Sequence, residues 1–189
     1  MENKVTFGLS KVHIAFIEEG EYLAPVEVPG AVSFTPSTAG DSSSFSADNN
    51  PKYFTRNTNA GYTAELTQAR WPLEILAEML GYEIDEQGGM LEVANAKAKP
   101  FALLFQVEGD VGAIRVVNYH CTASRPAQEH QTTTETTDIA GEQLSLVIAP
   151  YDVNKDGELV VKYSLPETAT NTVEFEKFFT EVPGITEAP

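Results

Sequence analysis

The chain is short of nearly every residue pattern that carries chemistry. It has one cysteine, Cys121, in 189 residues, so an internal disulfide is impossible. Its neighbours Tyr119 and His120 read as strand, which predicts a buried, inert thiol. Lys and Arg together number 12 against 28 Asp and Glu, a formal net charge of −16. Proteins that wrap a phosphate backbone cluster their basic residues along one face. Here they are scattered, from Lys4 and Lys11 to Lys162 and Lys177, and no basic stripe forms. The acidic excess predicts solubility and a surface that repels DNA. The longest apolar stretches, at 101–105 and 146–150, are far too short to span a bilayer. The N-terminus alternates apolar and polar residues and lacks the apolar run of a signal peptide. Those features predict a soluble protein, made in a cytoplasm, with no membrane association.

Catalytic and ligand motifs are equally sparse. No phosphate loop of the form Gly-x-x-x-x-Gly-Lys occurs. His13, His120 and His130 have no short metal-ligand spacing, and the first two sit within alternating strand patterns. Gly40-Asp41-Ser42-Ser43 lacks the Gly-x-Ser-x-Gly elbow that holds a nucleophile, and it lies in a soft polar segment. Glu18-Glu19 reads as a solvated turn edge. The strongest candidate is Asp152-Val153-Asn154-Lys155-Asp156-Gly157, which has oxygen ligands where the first half of an EF-hand loop has them. Its twelfth position is Tyr163, where a bidentate Glu belongs, and strands flank it. Asp-Gly favours hairpin turns, so a turn is the better reading. Single-sequence reasoning therefore predicts no catalytic residue, no metal, no cofactor and no enzyme.

What is present is period-two alternation. Hydrophobic residues make up 42% of the chain, enough for a real core. Strands are expected at 12–17, 31–35, 62–66, 90–93, 101–107, 114–121, 144–148 and 159–165, separated by Gly, Pro and Asn clusters. The Thr-rich run 131–139 is expected to be a solvated strand. One segment breaks the pattern: Leu73, Leu76, Ala77 and Leu80 recur at helical spacing behind Pro72, with Gly81 as the stop. A stripe of Leu73, Leu76 and Leu80 should pack this helix on the sheet. A second short helix is expected near 172–179, where Asn171 and Glu174 resemble a capping box, with strand as the alternative. The fold class is mainly β: two packed antiparallel sheets, as a sandwich or distorted barrel, with one flanking helix.

One domain accommodates the 189 residues, with an N-terminal arm at 1–10, a long projecting loop at 35–59 and a C-terminal arm at about 166–189. The loop is rich in Ser, Asp, Asn, Thr and Pro, yet it holds Phe45, Tyr53 and Phe54. Aromatic anchors of that kind are typical of interfaces. The loop either reaches a neighbouring subunit, sharing that contact with Phe7 and Leu9 of the arm, or folds back on its own domain.

The order of features resembles the major tail proteins of siphophages, the long non-contractile-tailed phages of bacteria. The resemblance runs from the arm Asn3-Lys4-Val5-Thr6-Phe7-Gly8-Leu9, through the Pro29-Gly30 turn, the polar loop and the helix. It ends with Leu146-Val147-Ile148-Ala149-Pro150-Tyr151-Asp152 and the Asp156-Gly157 hairpin. It implies a virion tail subunit, assembled in the host cytoplasm, that forms stacked, hexameric rings. DNA passes through the lumen of such a tube without specific binding. The implied partners are further copies of the chain, the tape measure, the tail terminator and the distal tail protein. No family catalytic residue exists to transfer. A soluble β-sandwich that binds carbohydrate or another ligand is the alternative, and Trp71 is its only large stacking platform.

Overall fold

A computed structural model describes residues 3–126 and 141–184. The strand expected at 131–139 and His130 lie outside the described residues. The chain opens with β1 (Thr6–Glu18), which turns through Glu19 and Gly20 into β2 (Glu21–Tyr22), followed by β3 (Val26–Glu27). Next come β4 (Ala31–Thr38), β5 (Ser42–Ala47), β6 (Asn50–Asn57) and β7 (Tyr62–Gln68). Helix α1 (Leu73–Leu80) leads to the short pair β8 (Glu83–Ile84) and β9 (Met90–Leu91). The second half supplies β10 (Phe101–Gly109), β11 (Ile114–Ala123), β12 (Glu142–Ile148), β13 (Tyr151–Asp152), β14 (Leu159–Val160), β15 (Lys162–Pro166) and α2 (Thr172–Lys177).

The fold is mainly β and antiparallel. Nine strands share one sheet along the path β2-β1-β10-β11-β12-β7-β4, with β15 beside β11 and β3 beside β1. The sheet curls until β4 meets β1, and Phe34 of β4 packs against Phe105 of β10 with ring centroids 5.0 Å apart. The two expected layers are thus halves of one curled sheet. A bulge lets β11 serve two partners. Phe101 faces Cys121 while Leu103 faces Asn118, so β11 carries one extra residue there. Beyond the bulge β11 pairs with β12 at Cys121–Ala123, and before it with β15 at Ile114–Asn118.

The run 101–107 departs from simple alternation, and the packing explains why. Residues Phe101, Ala102, Leu103, Leu104, Phe105 and Gln106 are all buried. Phe101, Leu103 and Phe105 face the interior of the curl with Ile14, Leu66, Leu144 and Leu146. Ala102 and Leu104 face outward into a second apolar cluster with Ala15, Val117, Tyr119 and Phe178. A strand buried on both faces reads as a continuous apolar run.

Helix α1 is stopped by chemistry its sequence announces. Gly81 adopts φ 71°, its N–H donates to Glu78 O, and the Tyr82 N–H donates to Ala77 O. This pair of bonds is a Schellman closure, which requires a left-handed residue. A Cβ on Gly81 would also lie 2.1 Å from Lys97 O. At the other end Pro72 caps from outside the helix, with no side-chain cap bond, rather than occupying the first helical position. The buried face is Leu76, Ala77, Met79 and Leu80. Leu73 is 42% exposed, so the expected stripe is corrected: Met79, fully buried, takes its place. With eight residues, α1 spans barely two turns; in the first, Ile75 and Leu76 pack on the core while Leu73 stays outside.

The expected arms are also corrected. The second half of the N-terminal one is strand: β1 begins at Thr6, and Asn3 is tied to the β10–β11 turn, accepting from Val111 and Gly112 N–H and donating to Gly112 O. The C-terminal one folds back as α2, with Phe175 and Phe178 buried. Asn171 makes no side-chain cap bond, so the expected capping box is absent there. Its amide instead bonds Thr168 N–H and Pro166 O, closing the approach to the helix.

Leu76→Ala should lower unfolding free energy by about 2–5 kcal/mol in denaturant titration, as for a buried leucine. Leu73→Ala should change it by less than about 1 kcal/mol, because exposed substitutions rarely matter. Equal losses would contradict the assigned face.

Candidate assembly surface

The segment expected as a loop at 35–59 is corrected too: it is a two-stranded ribbon. β4 and β7 pair within the sheet, and the same two chains continue as β5 and β6 beyond it. Between the two parts, Ala39 N–H donates to Gly61 O, Ala60 N–H to Ala39 O and Thr58 N–H to Asp41 O. The tip is a two-residue turn in which Asp48 and Asn49 have φ 50° and 59°, closed by the Ala47–Asn50 pair. Positive φ at both centres is the type I′ geometry that matches strand twist, and Asp and Asn tolerate it. The eight residues of β6 reach about 26 Å at 3.3 Å each.

The ribbon is exposed along its whole length apart from Ala47, which is half-buried. Phe45 and Phe54 are directly opposed in register, hence on one face, and are 64% and 60% exposed. Alternation places Lys52 and Arg56 on the same face as Phe54, one on each side. Tyr53, also exposed, points to the other face with the Ser and Thr residues. Strands β5 and β6 contain no acid. An isolated two-stranded ribbon is marginal in water, so one with both faces and both edges uncovered is poised for a partner.

Phe7 and Leu9, expected to act together, are separated by backbone geometry. Phe7 pairs with Glu108 and Leu9 with Val107, leaving Gly8 as an extra residue at φ 72°. Such a bulge shifts the pleat by one residue. Leu9 therefore packs on the inner core, while Phe7 is 59% exposed. Leu76 and Leu80 are core contacts, and Leu73 is on the surface. Trp71 is 5% exposed, with its indole N–H donating to Glu142 O at 3.1 Å, so it offers no stacking platform.

The sequence reading missed Arg115. It is 8% exposed on β11, and its Nε donates to Gln106 Oε1 at 3.0 Å while a terminal nitrogen donates to Phe175 O. Its guanidinium lies 3.9 Å from the Phe175 ring centroid and 4.6 Å from that of Phe179. Burial pulls its pKa down, against the charges of Glu167, Glu176 and Glu108. His13 stacks on Phe179 at 4.4 Å, and Tyr119 Oη donates to Pro183 O. Together these hold the C-terminal segment over the outer cluster. The signal in the sequence was a lone arginine inside the apolar strand Ile114-Arg115-Val116-Val117.

The remaining candidates serve local structure. Asp152 accepts Asp156 N–H at Oδ1 and Gly157 N–H at Oδ2, and Asp156 accepts Glu158 N–H. These bonds shape the turn between β13 and β14. His120 stacks on Tyr151 at 5.0 Å, and burial lowers its pKa. Burial pushes the Cys121 thiol up, which disfavours the reactive thiolate. Among the described residues no group of three or more His, Cys, Asp or Glu converges for a metal, and no helix is long and apolar enough to cross a membrane. No protein-family model matches the chain, and no curated protein matches its sequence.

Arg115→Ala should destabilise the fold by about 2–4 kcal/mol in denaturant titration, since it removes charged hydrogen bonds and ring contacts at a buried site. A change within experimental error would show that the C-terminal segment is held by its phenylalanines alone. Calcium titration by calorimetry should give no stoichiometric heat at Asp152; a tight site abolished by Asp152→Ala would contradict the turn assignment.

Proposed function

We propose that the chain is a structural, self-assembling subunit: the major tail-tube protein of a long-tailed phage, stacking as rings around a DNA conduit. The observation that carries this reading is the projecting ribbon of β5 and β6. It is a paired hairpin with a defined two-residue turn, yet among the described residues both its faces stay exposed. Its aromatic face matches the composition of interface cores, where aromatics and arginine are enriched and acids depleted. Edge strand β4, which pairs only with β7, continues into it and lengthens the unpaired edge.

Charge distribution supports the same reading. Residues 31–64 hold two acids, Asp41 and Asp48, and two bases, Lys52 and Arg56. The full net charge of −16 therefore resides elsewhere. Copies this acidic repel one another except where a neutral or basic element mediates contact. A lumen lined by part of the remaining acid would leave a passing polyanion mobile. In this role the partners are further copies of the chain and the tail components that start, measure and cap the tube. The ligand-binding alternative lost its stacking residue when Trp71 entered the core.

Negative-stain microscopy and sedimentation of the full chain at micromolar to millimolar concentration test the proposal. Rings or tubes are the expected outcome. Replacing residues 42–57 with Gly-Gly, which keeps Asp41 and Thr58 as the closing pair, should preserve the fold and lower assembly at least tenfold. A wild-type chain that stays monomeric throughout, or a shortened chain that assembles normally, overturns it.

A further inference from the structure

Between α1 and β9 lies a cavity of about 170 Å³ whose floor is Leu76, Leu80, Tyr82 and Met90. The Glu92–Arg125 ion pair stands at its rim. We propose that this cavity is the receptor for the ribbon of a second copy of the chain, and that it takes one ring of the Phe45–Phe54 pair. The inference rests on the self-assembly reading above and assigns its contact.

Size is the first argument. An apolar cavity of about 150 Å³ is known to hold a benzene ring, and this one has a similar volume, with an apolar floor and an opening at its polar rim. A phenylalanine near the turn of the ribbon delivers such a ring with little side-chain entropy to lose, because it has only two rotatable bonds. Phe45 and Phe54 are both exposed in their own chain, so neither occupies the cavity of that chain.

Charge complementarity identifies the occupant. Residues 71–96, which build the cavity's floor, carry Glu74, Glu78, Glu83, Asp85, Glu86 and Glu92 and no Lys or Arg. Glu78 is paired with Lys99 and Glu92 with Arg125, whereas Glu74, Glu83 and Glu86 have no ion pair among the described residues. Lys52 and Arg56, beside Phe54, likewise have none among the described residues. The acidic segment that supplies the apolar floor thus meets a ring flanked by two cations. Docking would neutralise charge on both surfaces, in a chain whose copies otherwise repel.

The test joins the two surfaces covalently. The full chain carrying Phe54→Cys and Glu92→Cys is mildly oxidised and run on a non-reducing gel. Native Cys121 is buried and stays silent. A ladder of dimers and higher multimers, absent from either single variant, is the expected result. A double variant no more cross-linked than the singles overturns the assignment. So does a fast-migrating oxidised monomer, which would place the ribbon in its own cavity. Separately, Lys52→Glu with Arg56→Glu should raise the critical concentration for assembly at least tenfold, and adding Glu83→Lys with Glu86→Lys should restore it. If wild type assembles but the charge exchanges leave it unchanged and no ladder forms, the receptor is wrong while the tube reading stands. A wild type that never assembles sinks both.

Discussion

Everything in this fold is arranged around β10, a strand with no solvent face. Burying both sides of Phe101–Gly109 through most of its length forces the protein to supply two covers. One comes from the sheet itself, which curls until β4 meets β1 and encloses Phe101, Leu103 and Phe105. The other is the C-terminal segment, laid over Ala102 and Leu104 and fastened by Arg115, His13 and Tyr119. Each buried leucine or phenylalanine contributes about 1.5–3 kcal/mol relative to exposure, so these covers outweigh the weak helical preference of a six-residue α2. The bulge in β11 follows from the same demand, since it lets one strand edge seat both β15 and β12.

With both core faces closed, the ribbon is left as the part of the molecule that folding does not use. It stands on β4 and β7, whose roots are fixed by the core through Leu66 and Phe34. The distribution of charge has the same division. The core and its covers tolerate a strongly acidic exterior, while the only charged residues in the ribbon's strands are the cations Lys52 and Arg56.

Much of the fold was legible in the sequence because alternation is a local signal. The strands at 12–17, 62–66, 114–121 and 144–148 fall where period-two patterning put them, and Gly81 marked the end of α1. What failed was whatever depended on register or distant contact. Alternation could not reveal the extra residue at Gly8 that turns Phe7 away from Leu9, since a bulge is one residue of pairing and not of composition. Leu73 matched the helical stripe, yet it is exposed at the first helical position while Met79 is buried in its place. The polar segment 35–59 looked like loop because neither of its faces is buried, and an unburied strand has no apolar period to show. Its strand character lay in the Asp48-Asn49 turn and the opposed aromatics. Arg115 was invisible as an anchor because its partners, Phe175 and Phe179, are 60 residues or more away in sequence.

The central claim is that the ribbon is completed by a neighbouring copy. Amide hydrogen exchange of residues 42–57, measured on the dispersed chain and again after assembly, tests it most directly. The account predicts fast exchange in the dispersed chain, as for a two-stranded ribbon in water, and strong protection once assembled. Protection already complete in the dispersed chain, or none in the assembly, would contradict it.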